Sequence, residues 1–344
     1  MDSPVQPSQS LPNPECAVRV ITLVESLDHV CARYRAGAFV KPLAAYGIDL
    51  QLLPLPRAFP ARQQTLWNLK GERVILLRKL LPWIDWKIVR SRASWIAFDL
   101  DDAVFLRDSY SGKGFTDSRR QARFKRICLE ADAIAAGNTF LANAARENGA
   151  RGSLEVIPTC VDPNAYIPRQ AHDLSDRLDL VWIGSASTLQ GLDRFRETLE
   201  TIGKRVRGVR LIQICDRFLQ FKHLETVHAP WSSVTEARDL ANANVGISWI
   251  PDDPWSQGKC GLKLLQSMAA GLPVVANPVG VHPEMITPNI NGFLAGDTEE
   301  WVEAIIRLRD DRSLRTRLGQ AGRALVENRY SVAVGACQWK ELLS

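Results

Sequence analysis

The 344-residue sequence has no apolar run long enough to span a bilayer, which excludes a membrane-spanning class. The best candidate, Val74 to Ile84, is interrupted by Arg78, Lys79 and Pro82. No long run of Lys and Arg is interleaved with aromatic residues in the way that nucleic-acid-binding surfaces require, so no nucleic-acid partner is predicted. Internal repeats are absent, and no low-complexity segment occurs beyond the first residues.

Cysteine pairs are also missing, because the seven cysteines occur singly and at no spacing typical of zinc ligands or a disulfide framework. An odd, unpaired set fits a reducing cytoplasm. Residues 1–15 are polar and proline-rich, without the basic start and apolar core of a signal peptide. We therefore expect a disordered leader at residues 1–15 and a cytoplasmic protein. The cysteines are Cys16, Cys31, Cys128, Cys160, Cys215, Cys260 and Cys337.

Neither charge dominates the composition, since 43 Lys and Arg residues face 38 Asp and Glu residues. The net charge of +5 suits an anionic substrate or peripheral contact with an acidic membrane surface, such as the inner membrane face, and proves neither. The hydrophobic content of 46% and charged content of 24% are those of an ordinary globular protein.

Short apolar runs alternate with helix-like stretches along the chain, which predicts parallel sheets with crossover helices. A polar stretch, Tyr166–Arg177, is interpreted as an interdomain linker. The predicted fold class is α/β, with two Rossmann-like domains at residues 16–170 and 171–330 facing a cleft. A helix at 331–344 is expected to pack back on the first domain. The predicted strands are Val18–Leu23, Ile48–Leu53, Trp95–Phe98, Ala131–Ala136, Leu154–Ile157, Leu178–Ile183, Val209–Ile214, Val245–Ile250, Pro273–Ala276 and Gly292–Leu294.

The most informative segment, Gly258–Gly280, reads GKCGLKLLQSMAAGLPVVANPVG and predicts a loop, a short helix, a tight turn and a buried strand. The first amides of a helix lack partners and its dipole is positive there, so this end can bind a diphosphate. Gly258 and Gly261 permit close backbone approach, and Lys259 and Lys263 lie one turn apart. The alternative is an ordinary surface helix with solvated lysines.

Other candidates follow predicted strands of the first half. Asp99, Asp101 and Asp102 are either a cleft carboxylate group or a turn and helix cap, and a metal site is not favoured. His29 lies in the loop after the first strand, where catalytic groups often lie, although a lone histidine is more often structural. In the second half, His282 is positioned to line a sugar pocket.

Three further features have two interpretations each. The basic run Arg119–Arg126 either faces anionic lipid or is a solvated helix face. Trp231 either packs near a nucleobase or belongs to the core. Arg33 and Arg35 either meet a phosphate or an acidic acceptor, or begin a solvated helix.

Several of these segments resemble the glycosyltransferase group 1 family, retaining enzymes of the GT-B fold. Lys259 to Gly280 carries the strongest likeness, and GVHPEMI and NGFLA follow it. VIPTCVD, from Val156, is similar to the segment between the family's domains, and VWIGSASTLQGLD, from Val181, to its first donor-domain strand and loop. The resemblance covers nearly all of the chain after the leader and is strongest from Leu178 to Asn328.

The resemblance implies that the second domain binds a nucleotide-sugar donor and the first a glycan or lipid-linked acceptor, with transfer in the cleft and retention of configuration. It implies no bound metal or other cofactor, and a role in surface polysaccharide or glycoconjugate synthesis. From the pattern and the resemblance, the predicted catalytic residues are Lys259, Lys263, His29 and Asp101. The predicted donor-binding residues are Gly184, Ser185, Gly258, Cys260, Gly261, Leu262, Gln266 and His282.

The chain departs from the family at two glutamates, which are replaced by Gly258 and Gln266. A glutamine can still bind ribose hydroxyls, whereas Gly258 offers only backbone, and Asp252 or Asp253 is a candidate substitute. The family's Arg and Lys after the first donor-domain strand are absent from GSASTLQG. Two alternatives therefore remain: a non-catalytic module that binds a sugar nucleotide or glycan, and a sugar-nucleotide epimerase with an acid/base pair around His29 or His282.

Overall fold

The computed structural model describes residues 18–168 and 177–344. The leader predicted at residues 1–15 and residues 169–176 of the predicted linker lie outside the described residues, as does Cys16. No helix in the described parts of the chain is both long and apolar enough to cross a bilayer.

The first sheet has six parallel strands in the order β2-β1-β3-β4-β5-β6. Its central strands are buried on both faces, as in β4, because helices cover both sides. The strands are β1 Val18–Val24, β2 Ile48–Pro54, β3 Arg73–Leu77, β4 Trp95–Leu100, β5 Ala133–Ala136 and β6 Ser153–Val156. The helices are α1 Val30–Arg35, α2 Val40–Ala44, α3 Phe59–Trp67, α4 Trp83–Arg92, α5 Ser118–Glu130 and α6 Thr139–Glu147.

The second sheet also has six parallel strands, in the order β12-β11-β10-β7-β8-β9. Its strands are β7 Leu178–Ile183, β8 Val209–Cys215, β9 Glu225–Pro230, β10 Val245–Ser248, β11 Val274–Ala276 and β12 Gly292–Leu294. The helices that follow in the chain are α7 Ala186–Arg194, α8 Arg196–Arg205, α9 Glu236–Ala241, α10 Leu262–Ala269, α11 His282–Met285, α12 Thr298–Asp310, α13 Arg312–Leu325 and α14 Val332–Leu343.

The last helix, α14, packs on the first sheet together with α2. Trp339 of α14 lies edge-to-face against Phe39, with ring centroids 6.3 Å apart, and both side chains are fully buried. Gly335 is required at this contact, because a Cβ there would lie 2.6 Å from the Sγ of Cys160. The C-terminal end of the chain therefore contributes to the core of the first domain.

The α/β prediction with two parallel sheets is confirmed, and each predicted strand is present with small shifts at its ends. Two strands were not predicted. β9 was missed because it is a polar edge strand with no buried residue, and β3 because its apolar run merges with Arg78 and Lys79. Between β7 and β8 the chain forms two helices, α7 and α8, which divide at Phe195. The loop predicted after the first strand contains the helix α1, which His29 caps.

Candidate active site

Each sheet has one point where the strand order reverses, between β1 and β3 in the first and between β7 and β10 in the second. Loops at the carboxyl ends of the strands diverge there and leave a crevice for ligands. The segment Trp255–Gly261, which leads into α10, lies against loops at the carboxyl ends of β4 and β5, so the two edges face each other.

The start of α10 is built for close approach of a ligand. Gly261 has the left-handed φ of 68°, and a Cβ there would lie 2.5 Å from the Sδ of Met285. Any larger residue would be both strained and overpacked at this position. No side chain of the described residues caps α10, so the first amides of this helix have no side-chain acceptor and can bind an anion.

The Lys263 ammonium is half-buried and has no carboxylate partner among the residues that the structure describes. Its Nζ lies 4.3 Å from the ring centroid of Trp182. Burial, followed by the charge of Lys259, lowers the pKa of Lys263 from 10.5 to about 7. An anion bound here would supply the missing countercharge.

Lys259, by contrast, has a carboxylate partner, although it lies only one helical turn from Lys263 in sequence. Its Nζ lies 2.9 Å from Oδ2 of Asp102, a residue of the first domain, and 3.3 Å from the ring centroid of Trp255. The same carboxylate oxygen accepts from Nη2 of Arg78 at 2.9 Å. Lys259 is therefore neutralised and ties the two domains together.

Gly258 and Cys260 are buried in the contact between the domains. A Cβ on Gly258 would lie 2.7 Å from the backbone nitrogen of Ala103, which explains why no glutamate occupies this position. The thiol of Cys260 donates to the carbonyl of Asp101 at 3.2 Å, and burial raises its pKa. The donor-binding roles predicted for Gly258 and Cys260 stay predictions, and both residues contact the first domain, at Ala103 and Asp101.

Gln266 also reaches the first domain. It is buried, and its Nε2 donates to the Tyr34 hydroxyl at 2.9 Å. That hydroxyl donates to Oε1 of Glu236 at 2.8 Å, and Nη2 of Arg33 donates to the same oxygen at 2.8 Å. Trp231 completes the group by donating its Nε1 to Oε2 of Glu236 at 2.8 Å. At the predicted ribose position, the amide nitrogen therefore already has a protein partner.

His282 is buried in the second domain, at the start of α11. Its Nδ1 is 2.8 Å from the carbonyl of Asn277 and its Nε2 is 3.3 Å from Oγ of Ser248. Burial lowers the pKa of His282 to about 4, so the ring is neutral near pH 7. This geometry favours a structural histidine over an acid or base.

Gly184 and Ser185 lie at the carboxyl end of β7, beside the reversal point of the second sheet. A Cβ on Gly184 would lie 2.3 Å from the Trp182 ring, which is also the ring that contacts the Lys263 ammonium. Ser185 forms a capping box with Thr188 at the start of α7, and its backbone amide donates to the Thr188 hydroxyl at 3.0 Å. Gly184 therefore brings the backbone close to the Lys263 environment.

On the first domain, a cleft of about 390 Å³ opens at the reversal point between β1 and β3. His29 lines it, with Nδ1 accepting from the amide of Cys31 at 3.2 Å. Burial, followed by the charge of Arg78, lowers the pKa of His29. Asp101 lies beside the cleft and is 3.3 Å from Nε of Arg78, so its carboxylate is paired.

Sequence reasoning missed Arg78, the residue that organises this cleft. It adopts a left-handed φ of 59°, which is uncommon for a side-chain-bearing residue, and its guanidinium contacts Asp101, Asp102 and Cys31. The available signal was the basic pair that ends an apolar run, which would have placed Arg78 at a strand end. Asp99 is not in the cleft, because Arg35 holds it in a fully buried bidentate ion pair.

Within residues 18–168 and 177–344, no three His, Cys, Asp or Glu side chains gather as metal ligands would. The absence of a bound metal or other cofactor stays a prediction.

Comparison with known proteins decides the class of this site. Residues 177–311 match the family model described as Glycosyl transferases group 1. The second domain of this chain is a group 1 glycosyltransferase domain. The chain is a glycosyltransferase, and the predicted family is confirmed.

The relatives are distant in sequence. Spore coat protein SA of Bacillus subtilis is 22% identical over 278 residues, which are 70% of this chain and 73% of that protein. A GDP-mannose-dependent alpha-(1-6)-phosphatidylinositol monomannoside mannosyltransferase of Mycobacterium tuberculosis is 24% identical over 205 residues, 52% of each chain.

Solved structures confirm the GT-B fold. Sucrose-phosphate synthase from Thermosynechococcus elongatus aligns with a TM-score of 0.72 at 16% identity, covering 94% of this glycosyltransferase and 98% of that chain. Anabaena HepE, in complex with UDP and glucose, aligns with a TM-score of 0.69 at 15% identity, covering 95% and 99%.

Proposed function

We propose that this glycosyltransferase moves a sugar from a nucleotide-sugar donor to a glycan or lipid-linked acceptor, with retention of configuration and without a bound metal or other cofactor. The process is surface polysaccharide or glycoconjugate synthesis, in the cytoplasm and in peripheral contact with a membrane. The observation that carries the proposal is the unpaired Lys263 ammonium at the uncapped start of α10, beside the reversal point of the second sheet.

The donor diphosphate would lie beside Lys263, whose positive charge has no negative partner among the described residues. The first amides of α10 and Lys263 face the same ligand, and a diphosphate satisfies both. Lys259 is already neutralised by Asp102 and acts mainly by holding the domains together. Structures similar in fold include one with UDP, and a relative depends on GDP-mannose, which supports a nucleoside diphosphate and leaves its base open.

Retention requires that the acceptor hydroxyl attack from the face that the diphosphate leaves. The leaving phosphate then takes the hydroxyl proton, so the protein supplies position and charge rather than a free base. The side chains support this division of roles, because Asp101 and Asp102 are paired with cations and His282 is a neutral core residue.

The acceptor would enter the cleft of the first domain, beside His29, Arg78 and Trp255. The exposed part of the Trp255 ring offers a flat apolar surface for a sugar face, and the surrounding cations favour an anionic acceptor.

A thermal-shift screen against UDP, GDP, ADP and CDP sugars tests the donor site, because a ligand at a hundred times its Kd stabilises by about 2.7 kcal/mol. Lys263→Met should abolish the shift, whereas Lys204→Met, an exposed lysine of the same domain, should not change it. Proton NMR of the product then gives the anomeric configuration.

The same assays separate the alternatives. Conversion of the donor without acceptor would indicate an epimerase. Binding without transfer to any acceptor would indicate a non-catalytic module. An inverted product would overturn retention alone, while a full shift with Lys263→Met would overturn the diphosphate site.

A further inference from the structure

The surface at the amino ends of α3, α4 and α5, which we call the amino-end face, exposes large apolar side chains. Phe59 begins α3 and is 50% exposed, while Trp83 and Ile84 begin α4 and are 54% and 48% exposed. Two exposed aromatic rings and an exposed isoleucine on neighbouring helix ends form an apolar patch, and such patches are typical of interaction surfaces.

Contacts show that the three helix ends are neighbours. Nε of Arg62, in the first turn of α3, lies 2.7 Å from Oδ2 of Asp85 in the first turn of α4. Nη1 of Arg123 in α5 donates to the carbonyl of Leu80, just before α4, at 3.3 Å. The apolar side chains and the start of α5 therefore share one continuous surface.

This face is basic. Arg119 and Arg120 of α5 are exposed, Arg123 is half-buried, and none of the three has a carboxylate partner in the described part of the chain. Lys87 lies 5.0 Å from the centroid of the Trp83 ring. Three neighbouring carboxylates have cationic partners, since Glu25 binds Lys79 at 2.8 Å, Asp85 binds Arg62 and Asp117 binds Arg107. Asp108 lies in the cleft beside Arg120 and offsets part of the positive charge.

The position of the face connects it with the cleft. Helices of a parallel sheet begin where the strands end, so the amino-end face lies at the same edge of the first sheet as the acceptor cleft. Lys79, Arg120 and Arg123 line both. A flat surface that binds the face would thus lie beside the cleft mouth.

We propose that the amino-end face docks on a membrane that contains anionic lipids. Aromatic rings with cations beside them are typical of groups at the boundary between headgroups and acyl chains. The unpaired guanidinium groups supply the attraction to anionic headgroups, and the apolar side chains supply the shallow insertion. This inference deepens the proposed lipid-linked acceptor, because docking would present such a lipid to the cleft.

Flotation of the full chain with vesicles tests the proposal without any sugar nucleotide. We expect binding to vesicles of phosphatidylcholine mixed equally with phosphatidylglycerol, weaker binding to phosphatidylcholine alone, and release by salt. The double variant Trp83→Ala, Ile84→Ser should lower the partition coefficient about tenfold, since each half-exposed side chain gives up part of its transfer energy. Arg119→Gln should lower it severalfold.

The chain offers matched controls. Trp67 is 50% exposed and lies beside Arg92, but it ends α3, at the opposite edge of the sheet. Trp67→Ala should leave vesicle binding unchanged. Lys204→Gln with Arg207→Gln removes two exposed charges from the second domain and should likewise have no effect.

Absence of binding to the anionic vesicles would overturn the proposal, and so would equal losses in Trp67→Ala and the Trp83 variant. Circular dichroism and unfolding midpoints confirm that each variant folds. Donor binding, measured separately on the same variants, should be unchanged, so failure of docking and failure of sugar transfer give different results.

Discussion

Replacing Lys263 with methionine should stabilise the unliganded protein and weaken its binding of a nucleoside diphosphate. The ammonium is half-buried beside Trp182 without a carboxylate partner in the described chain, so the folded state holds an uncompensated charge. Methionine keeps the length of the side chain and removes that charge. A residue that is retained because it binds a ligand is expected to lower the stability of the free protein while it strengthens binding.

The magnitude follows from the environment of the amine. Lowering its pKa from 10.5 to about 7 corresponds to roughly 5 kcal/mol against the ammonium, an upper limit. Partial exposure and loss of the contact with the Trp182 ring reduce the gain to about 1–3 kcal/mol near pH 6. Because the folded pKa is below the unfolded one, this gain is largest below pH 7 and shrinks as the pH rises toward 10.5.

Urea unfolding at about pH 6 and pH 9 measures the first effect. Calorimetric titration with UDP and GDP measures the second, which should be a loss of about 10²-fold, and turnover should fall about 10²–10³-fold. Lys259→Met is the control, because it leaves buried Asp102 short of a partner and should destabilise the protein. A Lys263→Met protein that is less stable and binds both nucleotides normally would refute the reasoning.

Three further perturbations test the same site. Affinity of wild type for a nucleoside diphosphate should fall by up to tenfold per pH unit above about pH 7, where unliganded Lys263 loses its proton, and Lys263→Arg should flatten this dependence in calorimetry. Gly258→Glu, which installs the family residue, should lower the free energy of unfolding by about 1–3 kcal/mol or more, because its Cβ would meet the backbone of Ala103; an unchanged urea midpoint would contradict the contact. Gln266→Glu should place a second carboxylate at the Tyr34 hydroxyl that already donates to Glu236, so the melting temperature should fall, and fall more near pH 8 than near pH 5, where protonation relieves the repulsion.

Most buried strands could be predicted because each is an apolar run between polar segments, as Leu178–Ile183 is. The exception is β3, whose apolar run continues into the basic pair Arg78 and Lys79. The edge strand Glu225–Pro230 could not, since edge strands need no buried run. The α10 helix and the turn at Gly261 before it follow from local sequence alone. What remained hidden were contacts between distant residues, such as Lys259 with Asp102, because nothing in a sequence fixes how two domains face each other. Lys259 and Lys263 look equivalent in sequence, and only the first domain distinguishes them.

The replacement of the family's two glutamates by Gly258 and Gln266 has a common physical explanation. Gly258 packs on Ala103, the neighbour of buried Asp102, and Gln266 reaches buried Glu236 through the Tyr34 hydroxyl. At both positions a carboxylate of the protein already lies on another element, so a glutamate would be overpacked at the first and repelled at the second. The contact between the domains therefore accounts for both substitutions. Lys263 and the first turn of α10, where we propose that the diphosphate binds, have no ion pair and no side-chain cap among the described residues.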